Sequence, residues 1–186
     1  MTTNGAFWDF SVRTYRTLGV PDACLSLQND YGADVNMVLF CCWIGGASGA
    51  FDDELFNRAS EYSARWAENV VIPIREARTW MKLTGCNSDP VPTASCMALR
   101  EEIKSVEFAA EKMQQEVLDS MVLVDLTRDE RPEQIVEDVA ANLMRYLECL
   151  DIQLADDVRK KLSVIVRAAF PDFDKKTISK AFETAS

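Results

Sequence analysis

Histidine is absent from all 186 residues of the chain. Without it there is no Ser-His-Asp or Cys-His nucleophilic machinery, no His-ligated zinc, and no side chain that ordinarily titrates near neutral pH. An enzymatic role is therefore disfavoured, and no catalytic residue is assigned. Six cysteines occur, Cys24, Cys41, Cys42, Cys86, Cys96 and Cys149, but no CxxC pair. Several fall at apolar helical positions, where a free thiol packs as a small hydrophobe. Reduced, mostly structural thiols are the expectation. Neighbouring helical positions point about 100° apart, so Cys41 and Cys42 cannot easily bridge each other. Cys86 and Cys96 flank a loop and could meet across it; as a lone pair they are a weak metal or redox signal, and no cofactor is implied.

No apolar run approaches the length of a membrane-spanning helix, and the N-terminus, MTTNGAFWDF, lacks the basic and apolar regions of a secretory signal. A cytoplasmic protein without a membrane span is expected. Basic side chains are also in short supply, 20 against 30 acidic, for a net charge of −10. An average surface of that sign repels a phosphate backbone, so nucleic acid is disfavoured as a partner. The clusters Arg159-Lys160-Lys161 and Lys175-Lys176 have no aromatic interleaving and read as solvated helix faces.

What is present is apolar and helical. The hydrophobic share, 48%, suffices for one well-buried domain, alone or with a small satellite. Its centre is the stretch DVNMVLFCCWI at 34–44, whose apolar side chains fall on every face of a helix. Asp34 is a preferred N-cap, and Gly45-Gly46 are expected to end the helix. The following GGASG has the glycine content of a phosphate loop but neither a preceding strand nor a Lys-Ser/Thr, and reads as a connector.

Before that stretch, spacing predicts a helix over 7–18 ending at Gly19, and a second from Pro21 to about Tyr31-Gly32. After it, Asp52 or Asp53 opens a run in which Leu55, Ala59, Tyr62, Trp66, Val70, Ile74, Ala77 and Met81 form one seam. Pro73 lies within this run and should kink or break it. A second run, about 93–126, places Leu99, Ile103, Val106, Ala110, Met113, Val117, Met121 and Val124 on its own seam. The two runs are expected to fold back as a long antiparallel helical hairpin with their seams facing. TRDERPE, 127–133, is the best boundary, separating a main helical domain, 1–126, from a C-terminal helical extension, 127–186. Three short periodic segments follow it, around 135–150, 158–169 and 178–182. The expected class is all-α: a helical bundle on that hairpin, with short N-terminal helices and a C-terminal extension.

The text FWDFSVRTYRTLGVPDACLSLQNDYGADVNMVLFCCW, with Trp66, NVVIPIREARTWMK and LREEIKSVEFAAEKMQQEVL, resembles an uncharacterised family of small bacterial cytoplasmic proteins over about residues 7–125. The resemblance implies bacterial origin and cytoplasmic residence. It transfers no activity, ligand or functional residue.

Two groups of polar residues are candidate ligand-binding sites. Asp9, Gln28, Asp34 and Asn36 are embedded in the apolar N-terminal unit, where two carboxylates and two amides could hold a small polar ligand or a hard cation. Capping and buried hydrogen bonding explain the same residues more simply. Arg75, Arg78 and Lys82 share one helix face, a cationic stripe able to hold a phosphate, a carboxylate or an acidic partner. The simpler account is ion pairing with Glu101, Glu102 or Glu107 on the returning helix. With no catalytic set, and with amphipathic C-terminal helices that need a surface to cover, the favoured function is a non-enzymatic protein-binding or adaptor protein that recognises another protein, or a second copy of itself, through a helical face. The alternative is a small-molecule or anion-binding helical protein, with an enzyme lacking histidine included in that class.

Overall fold

The computed structural model describes residues 5–87, 92–122 and 131–185, and all regular structure among them is helical. The chain runs through α1 (Ala6–Tyr15), α2 (Val20–Tyr31), α3 (Val35–Ala47), α4 (Asp53–Trp66) and α5 (Ile72–Leu83). It continues through α6 (Thr93–Ser120), α7 (Pro132–Cys149), α8 (Asp156–Ala169) and α9 (Lys175–Thr184). The class is all-α, as the periodicity implied.

The centre of the core is α3. Every residue from Asn36 to Gly45 is buried, and Asp34 caps the helix by accepting the Asn36 amide at 2.8 Å. The expected stop at Gly45-Gly46 is corrected: α3 runs on to Ala47, and the turn is made at Gly49, whose φ of 100° lies in the left-handed region. Gly45 serves packing instead. A Cβ there would lie 2.7 Å from the Cα of Val139, so its absence lets α7 lie directly on α3. No other pair of helices packs as extensively. Phe7, Phe40 and Trp43 join α1 to α3, with the Phe7 ring 5.2 Å from Phe40 and 5.3 Å from Trp43.

The C-terminal helices complete this core. Val139, Leu143 and Leu147 of α7, Leu162, Ile165 and Val166 of α8, and Ile178 and Phe182 of α9 are buried in the same cluster as Phe7, Leu27 and Phe40. Their apolar faces are thus covered by the chain itself. The expected boundary at 127 falls outside the described residues, as does Val124.

The run after α3 divides where Pro73 predicted. Asp52 caps α4 by accepting the Leu55 amide at 2.7 Å, Ala67–Val71 form a single π-helical turn, and Pro73 sits in the first turn of α5. The wider π turn accommodates the residue that has no N–H to donate. α5 and α6 then form an antiparallel hairpin closed by a Cys86–Cys96 disulfide, with Cα atoms 5.3 Å apart. This pair departs from the expectation of reduced thiols, because the residues after α5 and the first turn of α6 lie within bridging distance. Cys24, Cys41, Cys42 and Cys149 are free, the first three buried.

Beyond the π turn this hairpin is an arm. α5 packs on α6 and on the turns at its own ends, and Met81 is its one buried residue. In α6 no residue from 93 to 106 is buried. The expectation of facing apolar seams is corrected here. Leu99, Val106 and Met113 are exposed, Ile103 and Val117 are half-buried, and the buried face of α6 is Glu107, Ala110, Gln114, Gln115, Leu118 and Asp119. The cause is what α6 meets: Arg75 and Arg78 on α5, and Asp34 at the head of α3, each of which needs a polar partner once removed from water.

Candidate functional site

The polar face of α6 joins the two groups of residues that the sequence singled out. At its outer end, Arg75 donates from Nε to Glu107 Oε1 and from Nη2 to Glu111 Oε1, each at 2.9 Å. Arg78 donates from Nε to Glu107 Oε2 and from Nη2 to Glu107 Oε1, the latter at 3.2 Å. One carboxylate therefore holds two guanidiniums. Of the three glutamates expected to pair with the stripe, it is Glu107 that does so, and Glu111 joins it. Lys82, the third cation, is exposed at the outer end of α5.

Two turns further along α6 the network becomes an amide and carboxylate lattice. Gln114 donates from Nε2 to Asp34 Oδ2 and to Ser63 Oγ, each at 2.5 Å, and accepts from Asn36 Nδ2 at 2.7 Å. Ser63 donates to Asp34 Oδ2 at 2.6 Å, and Gln115 donates to Asn36 Oδ1 at 2.7 Å. The Asp34 amide donates to the Tyr146 hydroxyl at 2.9 Å, which fastens α7 to the head of α3. At the inner end, Asp119 accepts the Gly5 amide at 2.9 Å. A single helix face thus ties α1, α3, α4, α5 and, through Asp34, α7.

Asp34 and Asn36 lie together in this lattice. Asp9 and Gln28 do not join them: Asp9 is exposed, and the Gln28 side chain donates to Asn29 on the surface of α2. Sequence reasoning missed Ser63, Glu111, Gln114, Gln115 and Tyr146. The signal was present for α6, where Glu107, Glu111 and Gln114 recur at four and three residues beside the apolar stripe. Ser63 and Tyr146 carry no comparable mark.

Electrostatics follow from burial and pairing. Burial pushes the Glu107 carboxyl up, but the hydrogen bonds and charges of Arg78 and Arg75 outweigh it and hold it below the usual glutamate value. Glu111 is raised by burial, which its bond to Arg75 offsets only in part. The hydrogen bond to Glu107 raises Arg78. Burial pushes the Cys24 thiol up to about 12 and raises Cys41 and Cys42 well above the ordinary thiol value, so none of the three is a ready thiolate. The arrangement fixes helix positions through satisfied charge and presents no activated nucleophile.

Among the described residues, no group of three or more Cys, Asp or Glu side chains is placed to hold a metal ion, and no helix is long and apolar enough to cross a membrane. A shallow depression of about 460 Å³ lies between Pro132, Glu133 and Ile135 at the start of α7 and Asp172–Asp174 and Thr177. None of the residues picked from the sequence lines it.

The flank of α6 beside this polar face is the more unusual surface. Leu99, Val106 and Met113 recur every seven residues and are 51%, 55% and 51% exposed. Phe108, 56% exposed, stands to one side with its ring 5.3 Å from that of Trp8, and Lys112 lies over the Trp8 ring. A strict seven-residue apolar repeat is the period at which one helix packs along another.

A family model described as protein of unknown function (DUF2390) matches residues 6–118. No curated protein and no solved structure matches the chain. The matched residues include the arm and the polar lattice apart from Gly5, Asp119 and Tyr146.

Proposed function

The chain belongs to the DUF2390 family, and we propose that it is a non-enzymatic protein-binding or adaptor protein whose docking surface is the outer face of α6. The observation that supports this is the exposed Leu99, Val106 and Met113 stripe on an arm with few buried residues of its own. Large apolar side chains in one line on a projecting hairpin are costly to leave in water, and a helical partner covers them. The C-terminal helices α7, α8 and α9 then act as structural completion of the core, with the docking role on the arm. The cytoplasm of a bacterium is the setting that fits the family resemblance, whereas the Cys86–Cys96 disulfide sits better in an oxidising compartment. A nucleic-acid partner is disfavoured by the net charge of −10.

The small-molecule or anion-binding reading would place a ligand on Arg75 and Arg78, whose guanidiniums Glu107 and Glu111 already hold. A competing anion would have to displace a buried carboxylate from both. The docking reading is tested by affinity capture from bacterial lysate with the full chain beside its Leu99→Asp/Met113→Asp variant. Proteins retained by the parent and lost from the variant are expected. An unchanged retained set would refute the reading.

A further inference from the structure

The outer end of the arm is closed by the Cys86–Cys96 disulfide, and we infer that this pair is a reversible thiol–disulfide switch. A dithiol reductant opens it, frees the outer turns of α6 from α5, and leaves the body of the protein folded.

The way the arm is held is the first ground. Met81 and Cys86 are buried, yet neither belongs to the cluster of buried side chains built around α3. Between Thr93 and Val106 only Cys96, Arg100 and Ile103 are even half-buried, four and three residues apart and in line with Glu107. Among the described residues, the first ion pairs from α6 to α5 come at Glu107, about 16 Å beyond Cys96 at the helical rise per residue. On the α5 side, the Trp80 ring lies so close over Gly85 that a Cβ there would come within 2.5 Å of it. A tip with so few buried contacts has little besides the covalent bond to keep it closed, and its opening does not reach the core.

Chemistry at the two sulfurs is the second ground. Cys86 is 1% exposed, whereas Cys96 is half-buried in the first turn of α6, so an incoming thiolate meets Cys96. It bonds to Cys96 Sγ, the bond between the two cysteines breaks, and Cys86 leaves with the electron pair and takes up a proton. The second thiol of the reductant, as thiolate, then attacks the reductant's own sulfur in this mixed disulfide, and Cys96 leaves in turn. One dithiol becomes a disulfide, and two electrons and two protons pass to the cysteine pair. Charge on the departing Cys96 forms at the head of a 28-residue helix, where the helix dipole favours it. Arg100 stands one turn further on, its Nη1 bound to Glu101 at 2.6 Å and its Nε buried with no acceptor. A positive setting of this kind favours exchange. A bond that is made and broken also suits a reducing cytoplasm, where lasting disulfides are rare. Leu99 lies in the freed turns, so the thiol state also sets how much of the apolar stripe is held in order. The response of the arm itself needs no docking partner.

The test uses the full chain in a Cys149→Ser background, which removes the exposed free thiol. Backbone-amide exchange is read by mass spectrometry with and without dithiothreitol. A bond between residues 10 apart in sequence restrains opening on the order of 100-fold, so peptides within 93–106 should exchange that much faster once it is reduced. Peptides of α3 and α7 should not change, and oxidised glutathione should restore the slow rate. Cys86→Ser/Cys96→Ser should fold, exchange at the fast rate from the outset and ignore dithiothreitol. Arm peptides that exchange equally in both thiol states would overturn the inference. So would a bond that the folded protein keeps through excess dithiothreitol, or a pair that stays reduced in oxidised glutathione. Faster exchange that spreads into α3 and α7, or a double variant that does not fold, would make the bond a staple of the whole fold and overturn the switch as well.

Discussion

Glu107→Gln tests whether the polar face of α6 holds the arm. The parent carboxylate is 8% exposed and accepts from two guanidiniums that are 24% and 23% exposed. Removing one partner of a fully buried pair costs about 3–5 kcal/mol, but here the stranded cations keep some water and Arg75 keeps Glu111, so about 1.5–3 kcal/mol is expected. For a chain of this size that lowers Tm by about 4–10 °C. The assay is thermal unfolding by circular dichroism from neutral to acid pH. The pH sign follows from a folded-state carboxyl held below its usual value: its contribution is complete above the unfolded pKa and lost as pH falls through the lower, folded one. The gap between parent and variant should therefore hold from neutral pH to about pH 5 and close as pH falls through the lowered folded-state value. Glu111→Gln should behave oppositely. Its carboxyl is raised, so ionising it costs stability as pH rises, and the substitution should cost under about 1 kcal/mol at pH 7. A Glu107→Gln gap under about 1 °C at pH 7, or one that widens in acid, would refute the reasoning.

Asp34→Ala removes the N-cap of α3 and the acceptor of Ser63 and Gln114 together, so urea unfolding should show a loss of about 3–4 kcal/mol, well above the ~1 kcal/mol of a cap alone. A loss of cap size only would show that the lattice adds nothing. Gly45→Ala forces a methyl against the Val139 backbone and should destabilise by about 1–3 kcal/mol, with the Gly46→Ala change milder because it meets only the Phe170 ring; equal effects would contradict the close approach of α7.

Much of the fold was legible because its signals are local. Asp34 and Asp52 announce helix starts through their own side chains, Pro73 announces a break by lacking an N–H, and the apolar residues of 36–44 on all faces announce burial. Gly45 was misread because a glycine that ends a helix and one that admits a neighbouring backbone look the same until Val139 is known to lie there. The facing of α6 was illegible for a related reason. Its apolar stripe and its polar stripe share the helical period, and the side turned inward is chosen by Arg75, Arg78 and Asp34, from distant parts of the chain. Arg75, Arg78 and Lys82 were picked together as a stripe on one face; Arg75 and Arg78 meet Glu107, the simpler of the two expectations for them, while Lys82 stands exposed. Ser63 and Tyr146 joined the lattice with no periodic mark at all.

Methionine footprinting tests the outward stripe most directly, because the chain carries its own probes. Hydroxyl-radical oxidation read by mass spectrometry in dilute solution should modify Met113, 51% exposed, and Met97, 41% exposed, and should leave Met37, 1% exposed, untouched. Adding a protein captured by the full chain should then protect Met113 as the stripe is covered, while Met37 stays silent. A Met113 as unreactive as Met37 in dilute solution would put the apolar seam of α6 inside. A Met113 equally reactive in the presence of every captured protein would leave the stripe without an occupant.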